Sequence, residues 1–125
     1  MNKQKKERGL ADFVLLDKIT EEAFMANLQT RYEDDSIYTF IGSVVVSVNP
    51  YKQLPIYTPE VIEMYRSRYI YENPPHVYAV ASDAHRDMSG HKRDQCIIIS
   101  GMTFFPSFFI WKPSFSISQF LCLFS

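Results

Sequence analysis

The chain has 125 residues, of which 46% are hydrophobic, and 13 Lys and Arg nearly balance 14 Asp and Glu. This length allows at most one domain, and a formal net charge of -1 gives no support for a nucleic-acid partner. Cys96 and Cys122 form no C-x-x-C motif, so we expect no disulfide framework and a reducing environment. Charges and prolines interrupt the apolar segments, which predicts neither a signal peptide nor a transmembrane helix.

The first third of the chain predicts one helix. Residues 1–8 are basic and are expected to be a disordered N-terminus. Residues 10–17 form a short apolar segment that we expect to pack against the helix. Thr20 is a suitable N-cap, and the helix is predicted over Glu21 to about Glu33. Its predicted core face consists of apolar residues at helical spacing: Phe24, Met25, Leu28 and Tyr32.

The middle of the chain alternates between strand and helix patterns. Two β-branched and aromatic runs on either side of Gly42 predict strands over 37–41 and 44–48. Thr58-Pro59-Glu60 has the N-cap, first-turn proline and acid of a second helix. Further segments are predicted as a third helix from Val77 to about Met88, ended by Gly90 and the charged run 91–94, and a buried strand over Gln95–Ser100. This alternation predicts an α/β fold with helices packed on a sheet.

Residues 102–125 break the pattern of the preceding chain. Seven phenylalanines occur there without a period of two or of 3.6, among Ser, Pro, Ile and Leu. These amino acids share pyrimidine-rich codons. We interpret the segment as a non-homologous, irregular hydrophobic tail produced by intron read-through, and we expect it to contribute no specific core.

Long stretches of the sequence resemble one known family. "YTFIGSVVVSVNPYKQLPIYTPEVIEMYRSR", "PPHVYAVASDAHRDM" and "DQCIIISG" closely resemble the beginning of the myosin motor domain. The resemblance is strongest to class I, because "ADFVLLDKITEEAFMANLQTRYEDDSIYTFIG" lies almost at the N-terminus. It covers residues 9–101, which we interpret as part of a motor domain. The resemblance implies a P-loop NTPase-like mixed sheet with flanking helices.

The resemblance also implies a purine-binding loop. Asn49, Pro50, Tyr51 and Lys52 match the N-P-x-K pattern of that loop, and Tyr57 stands where the family places an aromatic residue beside adenine. An aromatic ring can stack on a base, a phenol can meet its exocyclic amine, and an amide can bond both loop and ligand. Without the family, "NPYKQLP" indicates only a turn with tyrosines.

The phosphate side of the family's site is not matched. The family continues the strand that ends at Gly101 into G-x-x-x-x-G-K-[ST], a loop that holds phosphate and magnesium. Here Pro106, Ser107 and Phe108 replace the second glycine, the lysine and the hydroxyl residue, so Gly101 is only a remnant of the phosphate loop. The family is an actin-activated ATPase that uses ATP and Mg²⁺. We assign no catalytic residue and expect no activity, and no tight ATP or Mg²⁺ binding, from this chain alone.

Other candidates for chemistry are weaker. Three histidines and a cysteine share no recognisable metal-ligand spacing: His76, His85, His91 and Cys96. Ser100 has no triad partner at a recognisable spacing. The carboxylates near the third helix are interpreted as solvated surface groups: Asp83, Asp87 and Asp94. We therefore predict no metal site.

Two interpretations of function remain open. In the first, the chain is a fragment of a class I myosin, whose family moves on actin filaments, binds calmodulin-like light chains and membrane lipids, and is cytoskeleton-associated. The regions of the family that bind those partners have no counterpart in residues 9–101. In the second, the chain is a truncated binding or regulatory module that acts through protein contacts, with chaperones or another copy of itself as partners.

Overall fold

The computed structural model describes residues 8–92 and 94–101. The regular elements are a short 3-10 helix Phe13–Leu15, α1 Glu21–Glu33, β1 Tyr38–Ile41, β2 Val44–Ser47, α2 Pro59–Tyr65 and α3 Val77–His91. Apart from Arg8, the predicted disordered N-terminus lies outside the described residues, as does the predicted tail 102–125. Within the described ranges, every helix is too short or too polar to cross a bilayer.

Helix α1 has the predicted bounds but a different buried face. The Thr20 hydroxyl accepts a hydrogen bond from the Ala23 N–H at 3.2 Å, as an N-cap does. Leu28 is buried as expected, whereas Met25 is 58% exposed, so its predicted core position is wrong. Asn27 and Arg31 are buried instead. Both polar side chains have hydrogen-bond partners at the buried face, which allows them to replace apolar residues there.

Strands β1 and β2 form an antiparallel hairpin that confirms the two predicted strands. Ile41 pairs with Val44 at the end of the ladder, and Gly42 takes the positive φ of 59° that favoured two-residue hairpin turns require at this position. The outer edge of β1 is also occupied, because the Phe40 N–H donates to the Ala11 carbonyl at 2.8 Å. The N-terminal segment therefore adds to the sheet at this edge.

The two faces of the hairpin contact different partners. Thr39 is fully buried and faces Arg31 of α1. The other face contributes to a core cluster with α2 and α3, whose buried members are Ile37, Tyr38, Phe40, Val45, Tyr65 and Ala79. The segment before α1 packs as predicted, because Phe13 and Phe24 meet edge to face with ring centroids 4.7 Å apart. Helices thus pack around a small sheet, in a mixed α and β arrangement.

Helices α2 and α3 begin where the sequence predicted. The Thr58 hydroxyl accepts from the Val61 N–H at 3.4 Å, and Pro59 occupies the first turn. Helix α3 continues through Gly90 to His91, and the chain leaves it at Lys92 with a left-handed φ of 50°. The helix therefore ends within the predicted stretch, Gly90 and the charged run 91–94. Gly90 itself stays helical, because a glycine inside the last turn only weakens a helix.

The predicted strand over Gln95–Ser100 is not formed. Residues 94–101 have no regular structure, and Ile97, Ile98 and Ile99 are 43%, 60% and 57% exposed. A strand exists only through hydrogen bonds to a neighbouring strand. The sheet of the described residues contains two strands, β1 and β2. The apolar run therefore predicted a buried strand for which this part of the chain supplies no neighbour.

Candidate nucleotide-binding loop

The loop of residues 49–57 follows directly from the hairpin. The Val48 N–H donates to the Ile37 carbonyl at 2.9 Å, so backbone pairing continues to the residue before the loop. Asn49 is buried, and its Oδ1 accepts from the Tyr51 N–H at 2.8 Å. This side chain to backbone bond is the turn-forming contact that Asn makes two residues ahead. It accompanies a left-handed φ of 50° at Tyr51, whose ring is 70% exposed.

The end of α1 holds the first half of the loop. The Lys52 ammonium forms an ion pair with the Asp35 carboxylate, and both side chains are about half exposed. The Tyr32 hydroxyl donates to the Pro50 carbonyl at 3.5 Å. A surface ion pair of this kind contributes at most about 1 kcal/mol. Its main effect is therefore to orient the loop, and the Lys52 charge is partly neutralised rather than free.

Tyr57 is anchored separately at the other end of the loop. Its hydroxyl lies 2.7 Å from the hydroxyl of Tyr38. Its ring meets the rings of His76 and Tyr78 edge-on, with centroids 5.6 and 6.2 Å apart. Burial raises the pKa of Tyr57, the hydrogen bond from Tyr38 opposes this rise, and Tyr78 adds to it. Tyr57 therefore presents a neutral phenol, 41% exposed, on an aromatic support.

His76 lies at the centre of that support. It is 4% exposed, and its Nδ1 caps α3 by accepting from the Tyr78 N–H at 3.1 Å. The imidazole stacks on Tyr65 with centroids 5.1 Å apart and contacts Tyr38 at 4.8 Å. Burial lowers the pKa of His76 to about 4, although the Ile56 backbone acts in the opposite direction. With Nδ1 acting as an acceptor, the proton of the neutral ring is on Nε2.

His76 was a candidate metal ligand in the sequence, and its role as a helix cap was not predicted. A signal was present, because His76 follows two prolines and directly precedes the first residue of α3, which is the N-cap position. Among residues 8–92 and 94–101, no three His, Cys, Asp or Glu side chains lie close enough to hold a metal ion. His91 instead approaches the Asp87 carboxylate at 3.6 Å.

The remaining predicted site residue is apart from the loop. Gly101 lies in the exposed segment 94–101, and no hydrogen bond or ion pair within the described chain links it to residues 49–57. An open groove of about 930 Å³ between α2 and α3 contains none of the predicted site residues. The structure therefore brings Asn49, Lys52 and Tyr57 onto one supported loop and leaves the phosphate-loop remnant outside it.

Comparison with known proteins identifies the family. The family model described as "Myosin head (motor domain)" matches residues 10–103. The chain is 58% identical over 95 residues to unconventional myosin-Ig of Homo sapiens, which covers 76% of this chain and 9% of that protein. It is 54% identical over 96 residues to myosin IE heavy chain of Dictyostelium discoideum, covering 77% and 10% respectively.

A third myosin is similar to this chain over nearly the same number of residues. Unconventional myosin-Ib of Mus musculus is 50% identical over 93 residues, which is 74% of this chain and 8% of that protein. The chain thus spans about a tenth of the length of the curated relatives that it matches. The chain belongs to the myosin family, and its matched residues are an N-terminal part of a class I motor domain.

Proposed function

We propose that this chain is part of a class I myosin that uses ATP to move on actin filaments, and that residues 49–57 form the adenine side of its nucleotide site. One observation carries the assignment of the loop. Tyr57 presents a neutral, partly exposed phenol held by a hydrogen bond of 2.7 Å to Tyr38. A held aromatic ring with a polar tip suits a base, which has a π-face and hydrogen-bonding edges.

The residues present fit adenine but not phosphate. The Asn49 Oδ1 is bonded within the loop, and the Lys52 ammonium is paired with Asp35, so the loop offers no unpaired cation of the kind that holds phosphate. Ser107 and Phe108 occupy the positions at which a phosphate loop has its lysine and its hydroxyl residue. We therefore propose that this chain alone does not hydrolyse ATP, and we assign no step to Mg²⁺.

The expected affinity is that of a loop that can contact the base but not the phosphates. Stacking of one aromatic residue on a base contributes about 1–3 kcal/mol, whereas a millimolar complex needs about 4 kcal/mol. The chain should bind ATP more weakly than about millimolar. Adenosine, ADP and ATP should bind about equally, because the one cation of the loop, Lys52, is already paired with Asp35.

Calorimetry with ATP, ADP and adenosine tests the affinity, and saturation-transfer NMR with adenosine tests the contact. We expect magnetisation transfer to the base protons, which a Tyr57→Leu variant should reduce. Tyr69→Leu is the matched control, because that ring is 65% exposed and lies outside residues 49–57. Micromolar ATP binding with preference over adenosine would contradict the absence of a phosphate site. Equal transfer in all three proteins would contradict the role of Tyr57.

For the complete myosin we propose a cytoskeletal, cytoplasmic location and the partners expected of the family: actin, light chains and membrane lipids. We also propose that residues 95–101 become a strand of a P-loop NTPase-like sheet when further motor strands are present. The exposed side chains of Ile97, Ile98 and Ile99 support this proposal, because a strand in a sheet that is covered on both faces would bury them. Residues 102–125 are proposed to derive from an intron, giving a truncated isoform, and sequencing of the transcript and gene beyond the Gly101 codon tests that origin.

A further inference from the structure

Tyr38 connects the buried hairpin to the proposed base contact. It is 6% exposed, and its backbone pairs with Ser47 in the hairpin. Its carbonyl accepts from Arg31 Nη2 at 2.8 Å. Its ring lies against His76, with centroids 4.8 Å apart. Backbone, carbonyl and ring are thus fixed by three different elements, so the position of the hydroxyl is set by the core.

Tyr57, by contrast, stands on a loop and is 41% exposed. Its edge-on contacts with His76 and Tyr78 limit where the ring lies but do not fix the direction of its O–H bond. The hydroxyl of Tyr38, 2.7 Å away, can fix it. A phenol has one proton and two acceptor lone pairs. If the Tyr57 hydroxyl donates its hydrogen bond to Tyr38, the Tyr57 oxygen can only accept a hydrogen bond from a group at the loop surface.

We propose that Tyr38 is a positioning residue for the purine contact, which holds the Tyr57 phenol in place by accepting its hydrogen bond, so that the Tyr57 oxygen accepts from the exocyclic amine of adenine. This inference rests on the proposed function of the loop. A 6-oxo purine has a carbonyl oxygen in place of the exocyclic amine. That oxygen and the Tyr57 oxygen are both acceptors, so no hydrogen bond would form between them. Tyr38 therefore contributes to the choice of a 6-amino purine without touching it.

The test compares Tyr38→Phe with Tyr65→Phe in the full chain. Each substitution removes one phenolic hydroxyl from a buried ring next to His76, but the Tyr65 hydroxyl donates to the Pro74 carbonyl at 2.8 Å instead of contacting Tyr57. Tyrosine is labelled with ¹³C in the ring, and NMR follows the Tyr57 resonances during a pH titration and during titrations with AMP and IMP. Thermal unfolding measures the stability of each variant.

We expect Tyr38→Phe to raise the pKa of Tyr57 further, because the Tyr38 hydroxyl can turn to donate to the ionised Tyr57, and this hydrogen bond lowers the pKa. AMP binding should weaken by about threefold to tenfold, the ratio that one neutral hydrogen bond supports, and the preference for AMP over IMP should decrease. Tyr65→Phe should lose a comparable amount of stability and leave the Tyr57 pKa and both titrations unchanged.

Two results would overturn the inference. One is that Tyr38→Phe leaves the Tyr57 pKa and the AMP response unchanged, and the other is that Tyr65→Phe alters them equally. If AMP causes no shift of Tyr57 in the unsubstituted chain at any soluble concentration, the proposed function of the loop fails. In that case the Tyr57 pKa in Tyr38→Phe still decides whether Tyr38 positions the phenol.

Discussion

Acidification from pH 7 to pH 5 should destabilise this fold through one buried histidine. His76 is neutral in the folded chain, where its Nδ1 accepts from the Tyr78 N–H at 3.1 Å. Protonation would convert this acceptor into a donor facing another donor. It would also place a positive charge at the N-terminus of α3, the positive end of the helix dipole, and among aromatic rings with little access to water.

The size of the effect follows from the pKa difference. Burial lowers the pKa of His76 from 6.5 to about 4 in the folded state. Because the folded pKa lies below the unfolded one, this stability is fully present above pH 6.5 and is lost as the pH falls from 6.5 through 4. The whole difference corresponds to about 3 kcal/mol, of which about 2 kcal/mol is lost by pH 5.

Urea denaturation at pH 7, 6 and 5 measures this loss, and His76→Asn provides the comparison. Asn is a favoured N-cap that can still accept from the Tyr78 N–H, but it does not titrate in this range. The variant should be less stable at pH 7, because the imidazole packing is lost, and its stability should change by about 2 kcal/mol less than that of the unsubstituted chain between pH 7 and pH 5.

Measurements above pH 5 distinguish the titration of His76 from that of Glu60, an acidic residue in the first turn of α2. The Thr58 hydroxyl, and then a backbone hydrogen bond, lower the pKa of Glu60 from 4.5. The stability linked to Glu60 is present above pH 4.5 and is lost below it, outside the measured range. If His76→Asn lost as much stability as the unsubstituted chain between pH 7 and pH 5, the assignment to His76 would be refuted.

Three further predictions concern the buried polar contacts and the exposed isoleucines. Arg31→Lys should cost about 1.5–3 kcal/mol in urea denaturation, because a lysine cannot donate to both Thr39 Oγ1 and the Tyr38 carbonyl from the guanidinium positions; an unchanged midpoint would contradict this. Gly9→Ala should destabilise more than Gly42→Ala, since both glycines have positive φ but only the Cβ at Gly9 would meet neighbouring atoms, at 2.8 Å from Arg31 Cγ; equal losses would remove the steric argument. Ile98→Lys should reduce light scattering at equal protein concentration, because it places a charge in an exposed β-branched run, and unchanged scattering would show that another surface drives association.

Local signals predicted most elements of this fold. Thr20, Thr58 and Pro59 marked the starts of α1 and α2, and Gly42 marked the hairpin turn, because caps and turns depend on residues close in sequence. The loop motif at Asn49 was likewise predicted, and its hydrogen bond to Tyr51 is local. Such features need no knowledge of the rest of the molecule.

The features that sequence reasoning missed depend on distant partners. Arg31 and Asn27 are buried because Thr39, the Tyr38 carbonyl and the backbone of Leu10 complete their hydrogen bonds. Helical spacing of apolar residues cannot show this. The strand predicted over 95–100 failed for the related reason that an apolar run indicates burial only when neighbouring strands are present.

The proposed base contact combines both kinds of information. The motif supplies Tyr57, but its position depends on a chain of contacts that begins elsewhere. Arg31 holds the carbonyl of Tyr38, and the hydroxyl of Tyr38 holds Tyr57, 19 residues further along the sequence. Lys52 and Asp35 hold the other half of the loop to the end of α1. These two anchors lie before the loop in sequence, and the aromatic support of Tyr57, which is His76 and Tyr78, lies after it. The loop residues transplanted without α1, the hairpin and the start of α3 would therefore keep the motif and lose the site.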